Sequence, residues 1–182
     1  MRGLGWGNKK SQQRRFRELT YIFKNDWAAH VLDVGCGYGD LLGYLKKRDI
    51  KVHYTGMDFM EEMVREARAR HPSIMFYRQD VLDRWPFHHE NSFDYVVASG
   101  IFSHKDYTYL EEVVGKMFGA CRKGVAFNCL DDRWQGRRVE DEFYADYREV
   151  FEICRRIGAK SMLLSEVYLP NDMTMYMWKD SR

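Results

Sequence analysis

The chain has 182 residues, 45% hydrophobic and 31% charged, with a formal net charge of +2. That length suits one domain with a real core, while three prolines and fourteen glycines exclude a collagen-like or Pro/Gly-rich disordered chain. An aromatic share of 15% speaks against intrinsic disorder. No stretch approaches the roughly 18 uninterrupted apolar residues of a membrane helix, and residues 1–10 lack the apolar core of a secretory signal, so a cytoplasmic chain is expected.

Seven Lys and Arg residues against two acids give residues 1–30 a local charge of +5. Such an opening suits nucleic acid, an acidic substrate or a ligand carboxylate, or is a solvated helix face. Residues 11–27 read as a helix with Ser11 as N-cap. Residues 30–35 are a short β-branched run that stops at glycines, as a buried strand does. A helix over 40–47, a strand over 51–58 and a helix over 60–71, stopped by Pro72, come next. Strands follow over 74–77 and 93–99. Thr108 with Glu111 forms a capping box for a helix to about 121. A strand over 124–129 precedes a long helix over 138–157 with Val139 and Phe143 inward, and Gly158 is placed to end it. The last two strands, 160–168 and 173–178, flank Pro170-Asn171-Asp172.

Alternation of strands with helices implies a parallel, doubly wound sheet. The final two strands are joined too tightly for a crossover and must be antiparallel. The fold class expected is therefore α/β: a Rossmann-like sheet of seven strands, mostly parallel, with an antiparallel C-terminal strand and helices on both faces. One domain spans 1–182, with residues 1–29 as a lid and helix ahead of the sheet. Cys36, Cys121, Cys129 and Cys154 show neither CxxC spacing nor a histidine partner, so no metal is expected and the thiols read as reduced and buried.

The most informative segment is the strand, glycine turn and helix start at Val31-Leu-Asp-Val-Gly-Cys-Gly-Tyr-Gly-Asp40. In an open α/β sheet a ligand sits at the carboxyl end of the first strand. The spacing is GxGxG at 35, 37 and 39, and Asp40 stands where a pyrophosphate would meet the helix N-terminus. With Asp33 before the loop, two carboxylates suit a ligand bearing an ammonium and a sulfonium. Asp58 ends the second strand, placed to accept from ribose hydroxyls. Asp80 follows the third strand, placed to accept from an adenine amino group while Val81 packs on the ring. Each acid alone is an ordinary cap or turn residue; their register at successive strand ends is what carries weight.

Through DVGCGYG (33–39), YTGMD (54–58), RQDVLD (78–83) and FDYVVASGIFSH (93–104), the sequence resembles the class I S-adenosylmethionine-dependent methyltransferases. The likeness runs over nearly the whole chain and includes the final antiparallel pair. LGWG, SQ and RF within 4–16, CRKGVAFN (121–128) and EFYADYREVF (142–151) resemble small bacterial members of unassigned substrate. The resemblance implies that Asp33, Gly35, Cys36, Gly37, Gly39 and Asp40 surround the methionine part of S-adenosylmethionine. Asp58 would hold the ribose, and Asp80 with Val81 the adenine; Phe59 is a further candidate for cofactor binding, and Ser99 stands in the zone after the fourth strand, next to the sulfonium. Similar proteins often have more residues ahead of this point, which makes the N-terminal lid short.

Methyl transfer depends mostly on positioning and exclusion of water, with a base only where the acceptor loses a proton. His104, after the fourth strand, is the candidate base, because histidine exchanges protons near neutral pH. Trp6 and Arg15 are candidates for the lid, Arg15 facing the cofactor carboxylate or an acidic substrate. Phe102 and Tyr144 are candidates for the acceptor pocket. His88 and His89 read as solvated, and Met173, Met175 and Met177 as packing residues. The function expected is methyl transfer to O or N of a small polar acceptor, with S-adenosylhomocysteine as product, nucleic acid not the expected acceptor, and a monomer or homodimer as the assembly. The alternatives are an RNA-modifying methyltransferase, a cofactor-binding protein without turnover and, more weakly, a dinucleotide reductase.

Overall fold

The structure is a computed structural model that describes residues 8–83, 85, 87 and 92–180. Trp6, His88 and His89 lie outside the described residues. In chain order the elements are α1 (Lys9–Thr20), a 3-10 turn (Tyr21–Phe23), β1 (His30–Val34), α2 (Asp40–Lys47), β2 (His53–Asp58), α3 (Glu61–Arg70) and β3 (Met75–Arg78). They continue with β4 (Phe93–Ala98), α4 (Tyr107–Ala120), β5 (Cys121–Asp131), β6 (Tyr144–Ala145), α5 (Tyr147–Ile157), β7 (Ser161–Ser165) and β8 (Asp172–Trp178).

The sheet runs β3-β2-β1-β4-β5-β8-β7, and the two-residue β6 pairs with the end of β5. β1 to β6 pair in parallel; β8 runs antiparallel to both β5 and β7. The seven-stranded sheet with an antiparallel C-terminal edge is thus present, with β6 as an addition. β4 and β8 are buried along their whole lengths, as strands with both faces covered must be; their polar members Asp94, Asp172 and Thr174 are each hydrogen-bonded. Met173, Met175 and Met177 lie in the core.

Period-two alternation sends β1 into two cores. Leu32 and Val34 face the layer that packs against α4 and α5. Val31 faces the layer formed with Phe16 and Leu19 of α1, Leu41 of α2 and Val64 of α3. Helices therefore cover both faces of the sheet. The strand order reverses between β1 and β4, and the carboxyl ends of these neighbours open the crevice where open α/β sheets take ligands.

Four local expectations change. Asn8, not Ser11, caps α1: its Oδ1 accepts from the Ser11 amide at 3.0 Å. α1 gives way to the 3-10 turn at Tyr21, and Trp27 stands exposed. Asp106, two residues before the Thr108 read as the start of a capping box, caps α4 by accepting from the Tyr109 amide at 2.8 Å. The long helix over 138–157 begins only at Tyr147. Asp146 caps it, the Phe143 amide donates instead to the Ser103 carbonyl at 2.7 Å, and Tyr144 pairs with Leu130 in the sheet. The last two ties spend backbone groups that a helix would need, and Val139 is exposed rather than inward.

Candidate active site

A cavity of about 540 Å³ opens at the carboxyl ends of β1, β2 and β4. Its floor is the glycine loop. The amides of Gly35 and Cys36 both donate to the Met57 carbonyl, at 2.7 and 3.1 Å, which folds the loop back over β2. Gly35, Gly37 and Gly39 all have positive φ, at +71°, +53° and +76°. At Gly35 a Cβ would also lie 2.2 Å from Ile101 Cγ2, so both backbone and neighbour require glycine there. Gly39, in the left-handed conformation, turns the chain into α2.

Asp58 closes the loop from the other side. Its Oδ2 accepts from the Gly37 amide at 2.9 Å and its Oδ1 from the Met60 amide at 2.9 Å. Two amide donors leave further lone-pair positions on a carboxylate, which has about four. The side chain is buried yet lines the cavity. Asp80, at the end of the β3 ladder, accepts from the Leu82 amide at 2.9 Å and lines the cavity with Val81 and Phe59.

Asp33 is 3% exposed and accepts from the Tyr54 hydroxyl at 2.6 Å. Burial pushes its carboxyl up to about 7 against the pull of that hydrogen bond, and the neighbouring Asp58 and Asp40 push in the same direction as burial. Burial also drives the Cys36 thiol far up, so it faces the cavity as a neutral group. Asp40, in the first turn of α2, accepts from Gln12 Nε2 at 3.0 Å and faces Arg70 at 3.7 Å.

Arg15 reaches the cavity from α1, but its guanidinium is committed within the protein. Nε donates to Asp172 Oδ2 at 2.7 Å, and a second nitrogen donates to the same oxygen. Asp172 in turn accepts from the Tyr168 hydroxyl at 3.2 Å. The basic opening thus turns one charge inward onto a buried acid. On the β4 side, Ser99 and His104 line the cavity. His104 Nδ1 lies 3.3 Å from the Asp141 carbonyl oxygen. A carbonyl only accepts, so this contact assigns the proton to Nδ1 and leaves Nε2 as the basic nitrogen.

Two expected pocket residues stand off the cavity. Phe102 is wholly buried in the core, edge-on to Phe127 with ring centroids 5.5 Å apart. Its ring belongs to the layer under α4, where an apolar side chain is best desolvated. Tyr144 is held in β6; its hydroxyl accepts from the Val139 amide at 3.1 Å and donates to Glu142 Oε2 at 3.2 Å. Glu142 takes its place in the lining.

Asn128 also lines the cavity, at 2% exposure near the end of β5. Its Oδ1 accepts from the Gly100 amide at 3.1 Å, and its Nδ2 donates to Ser99 Oγ at 3.2 Å. The signal was a lone amide side chain in an otherwise apolar strand (GVAFNCL), which a buried strand keeps only when the amide is bonded. Tyr109 and Asp172 join the lining as well; nothing in local spacing announces them, because α4 and β8 reach the cavity only through the tertiary fold.

The family model described as a methyltransferase domain matches residues 31–124. The putative methyltransferase Rv1506c of Mycobacterium tuberculosis is 34% identical over 162 residues, covering 83% of this chain and 93% of that protein. Among solved structures, a SAM dependent methyltransferase from Aquifex aeolicus superposes with a TM-score of 0.73 at 18% identity, over 95% of this chain and 94% of that one. The magnesium protoporphyrin IX methyltransferase from Synechocystis PCC 6803, solved with bound SAH, gives 0.70 at 13% identity, over 98% and 90%. The last two share the fold. With the family match, the fold and the glycine loop together, the chain belongs to the class I S-adenosylmethionine-dependent methyltransferases.

Proposed function

We propose that the protein transfers the methyl group of S-adenosylmethionine to an oxygen or nitrogen of a small polar acceptor bound in the same cavity. The observation that carries this reading is the ring of carboxylates at successive strand ends, Asp33, Asp58 and Asp80, around one cavity floored by the glycine loop. This set of acceptors fits that cofactor and not a dinucleotide. A pyrophosphate would meet Asp40 at the N-terminus of α2, whereas a ligand with positive groups meets compensating charge.

In this reading Asp58 accepts from the ribose hydroxyls while its amide bonds keep the carboxylate from turning away. Asp80 accepts from the adenine amino group, with Val81 against the ring face and Phe59 across the ribose. Asp33, Asp40 and the 35–39 backbone surround the methionine portion, beside Cys36 and Ser99. When bound, the cofactor supplies a methyl group activated on a sulfonium. His104 Nε2 removes the acceptor's proton, and the Asp141 carbonyl holds the imidazole in that tautomer. α1 covers one wall through Gln12, Arg15 and Phe16, all of which line the cavity, so α1 acts as a lid within a single domain.

A small acceptor is supported by the size of the cavity, about 540 Å³, which is within the roughly 300–1,000 Å³ of small-molecule sites and is shared with the cofactor. The Arg15–Asp172 pair on the lid side argues against the acidic acceptor that the basic N-terminus suggested, since the guanidinium is already matched. Among the described residues, no helix is long and apolar enough to cross a membrane. The test is a screen of cell metabolites with methyl-labelled S-adenosylmethionine and the pure protein. Label in a small molecule supports the proposal; label found only in RNA or protein refutes the acceptor class.

A further inference from the structure

Asp33, which lines the cavity, and Tyr54, which does not, form a buried pair. Tyr54 lies on β2, one strand over from Asp33, and is 5% exposed. Its hydroxyl donates to Asp33 Oδ2 at 2.6 Å, within the short range of O–H···O⁻ bonds. Burial keeps the Tyr54 hydroxyl protonated, so it acts only as a donor in this bond. The register sets Gly56, not a side chain, opposite Asp33, and the Cys36 sulfur would be 2.8 Å from a Cβ there. The pair is thus walled by β2 and the glycine loop, and Asp33 reaches solvent through the cavity.

We infer that Tyr54 is a positioning residue: by donating to Asp33 it fixes the carboxylate that meets the cofactor's positive charge, so that cofactor capture is coupled to release of a proton from the pair. The inference rests on the proposed placement of the methionine portion. The groups facing Asp33 are Tyr54 and Asp58 from β2, Asp40 from α2 and the neutral Cys36 thiol from the loop. The two acids oppose a charge on Asp33. Across the cavity, Arg15 is held by Asp172, and His104 and Lys105 follow β4. In the ligand-free protein the Asp33 carboxyl, raised to about 7, is about half protonated at neutral pH. A cation beside it favours the ionised form, and the proton leaves to solvent. Loss of the Tyr54 donor removes the hydrogen bond that draws its titration downward.

The experiment is titration calorimetry of the full chain with S-adenosylmethionine, S-adenosylhomocysteine and methylthioadenosine. The last retains adenine and ribose but has neither ammonium nor sulfonium. S-adenosylmethionine affinity should rise about fivefold to tenfold from about pH 6 to about pH 7.5, while methylthioadenosine affinity stays flat. In Tyr54→Phe the midpoint moves up by about one pH unit and affinity at pH 7 falls about fivefold. In Asp33→Asn the pH dependence disappears, which separates Asp33 from His104. Should Tyr54→Phe fold poorly, the contrast between S-adenosylmethionine and methylthioadenosine in the unsubstituted protein still decides the coupling, and Tyr54→His, which keeps a ring N–H donor, should keep the midpoint nearer the unsubstituted one than Tyr54→Leu does. A flat profile for S-adenosylmethionine, or an equal slope for methylthioadenosine, overturns the coupling. An unmoved midpoint in folded Tyr54→Phe overturns the role of Tyr54. Failure of the unsubstituted protein to bind either S-adenosylmethionine or its product would instead remove the proposed function beneath it.

Discussion

The Gly37 amide donates to Asp58 Oδ2 at 2.9 Å, so the loop after β1 and the last residue of β2 are one hydrogen-bonded unit. Asp58→Ala removes both this tie and the proposed ribose acceptor. Hydrogen bonds to charged groups contribute about 1.5–3 kcal/mol each, so affinity for S-adenosylmethionine should fall by at least about tenfold. Methylthioadenosine, which keeps the ribose, should lose affinity in parallel. Calorimetry reads both; unchanged methylthioadenosine affinity would remove Asp58 from the ribose.

Gly35 has φ of +71° and Ile101 Cγ2 at 2.2 Å from where a Cβ would stand. Left-handed backbone costs an ordinary residue about 1–2 kcal/mol, and the isoleucine must move as well. Gly35→Ala should lower the Tm by at least about 2–8 °C for a chain of this size and weaken cofactor binding together with it. A scanning calorimetry trace at the unsubstituted Tm would show that the loop relaxes freely.

The glycine loop, the acids of the strand ends and the order of the elements were legible because each rests on local chemistry: a turn that needs positive φ, a strand that ends where its apolar run ends. The segment 138–146 was not. Its apolar spacing fits a helix, but the Ser103 carbonyl and the β5 edge, far away in sequence, claim its amides first. Arg15 lines the cavity as its place in the lid suggests, but the charge that points it at a cofactor carboxylate or an acidic substrate is taken by Asp172, 157 positions on and beyond any local pattern. Phe102 follows the same logic in reverse. It sits beside the expected reaction zone in sequence, yet the chain turns its ring under α4.

Asn128 links β5 to the Ser99–Gly100 turn, and its removal strands the buried Ser99 hydroxyl, which donates to Asn128 Oδ1 at 3.3 Å. Asn128→Ala should destabilise the protein by about 1–3 kcal/mol, the cost of an orphaned buried donor. Chemical denaturation measures this. A change below about 0.5 kcal/mol would mean the turn finds another acceptor.

Asp33 gives the ligand-free protein a definite pH response. Its folded carboxyl is raised from 3.8 to about 7, chiefly by burial. The stability it contributes is therefore complete below its unfolded value and is lost as pH rises through about 7. Between about pH 5 and pH 8 this group should lower the Tm of the ligand-free protein, and Asp33→Asn should flatten that fall. The same variant should bind S-adenosylmethionine more weakly. A Tm profile identical in both proteins would show that Asp33 does not titrate there.

His104→Gln should lower kcat by about 10²–10⁴-fold with any acceptor that must lose a proton, leaving cofactor affinity within about threefold. Steady-state kinetics on the labelled acceptor provides the check. An unchanged kcat would mean that the acceptor arrives already deprotonated.

The central claim is that the carboxylate-ringed cavity holds S-adenosylmethionine. Its most direct measurement is calorimetric titration of the pure, folded protein with S-adenosylmethionine and S-adenosylhomocysteine, beside NADH as the contrasting ligand. The account predicts one saturable site for each of the first two, with Kd on the order of micromolar, about −8 kcal/mol, and no binding of NADH. Silence with both methionine-derived ligands, or saturable binding of NADH alone, would contradict it.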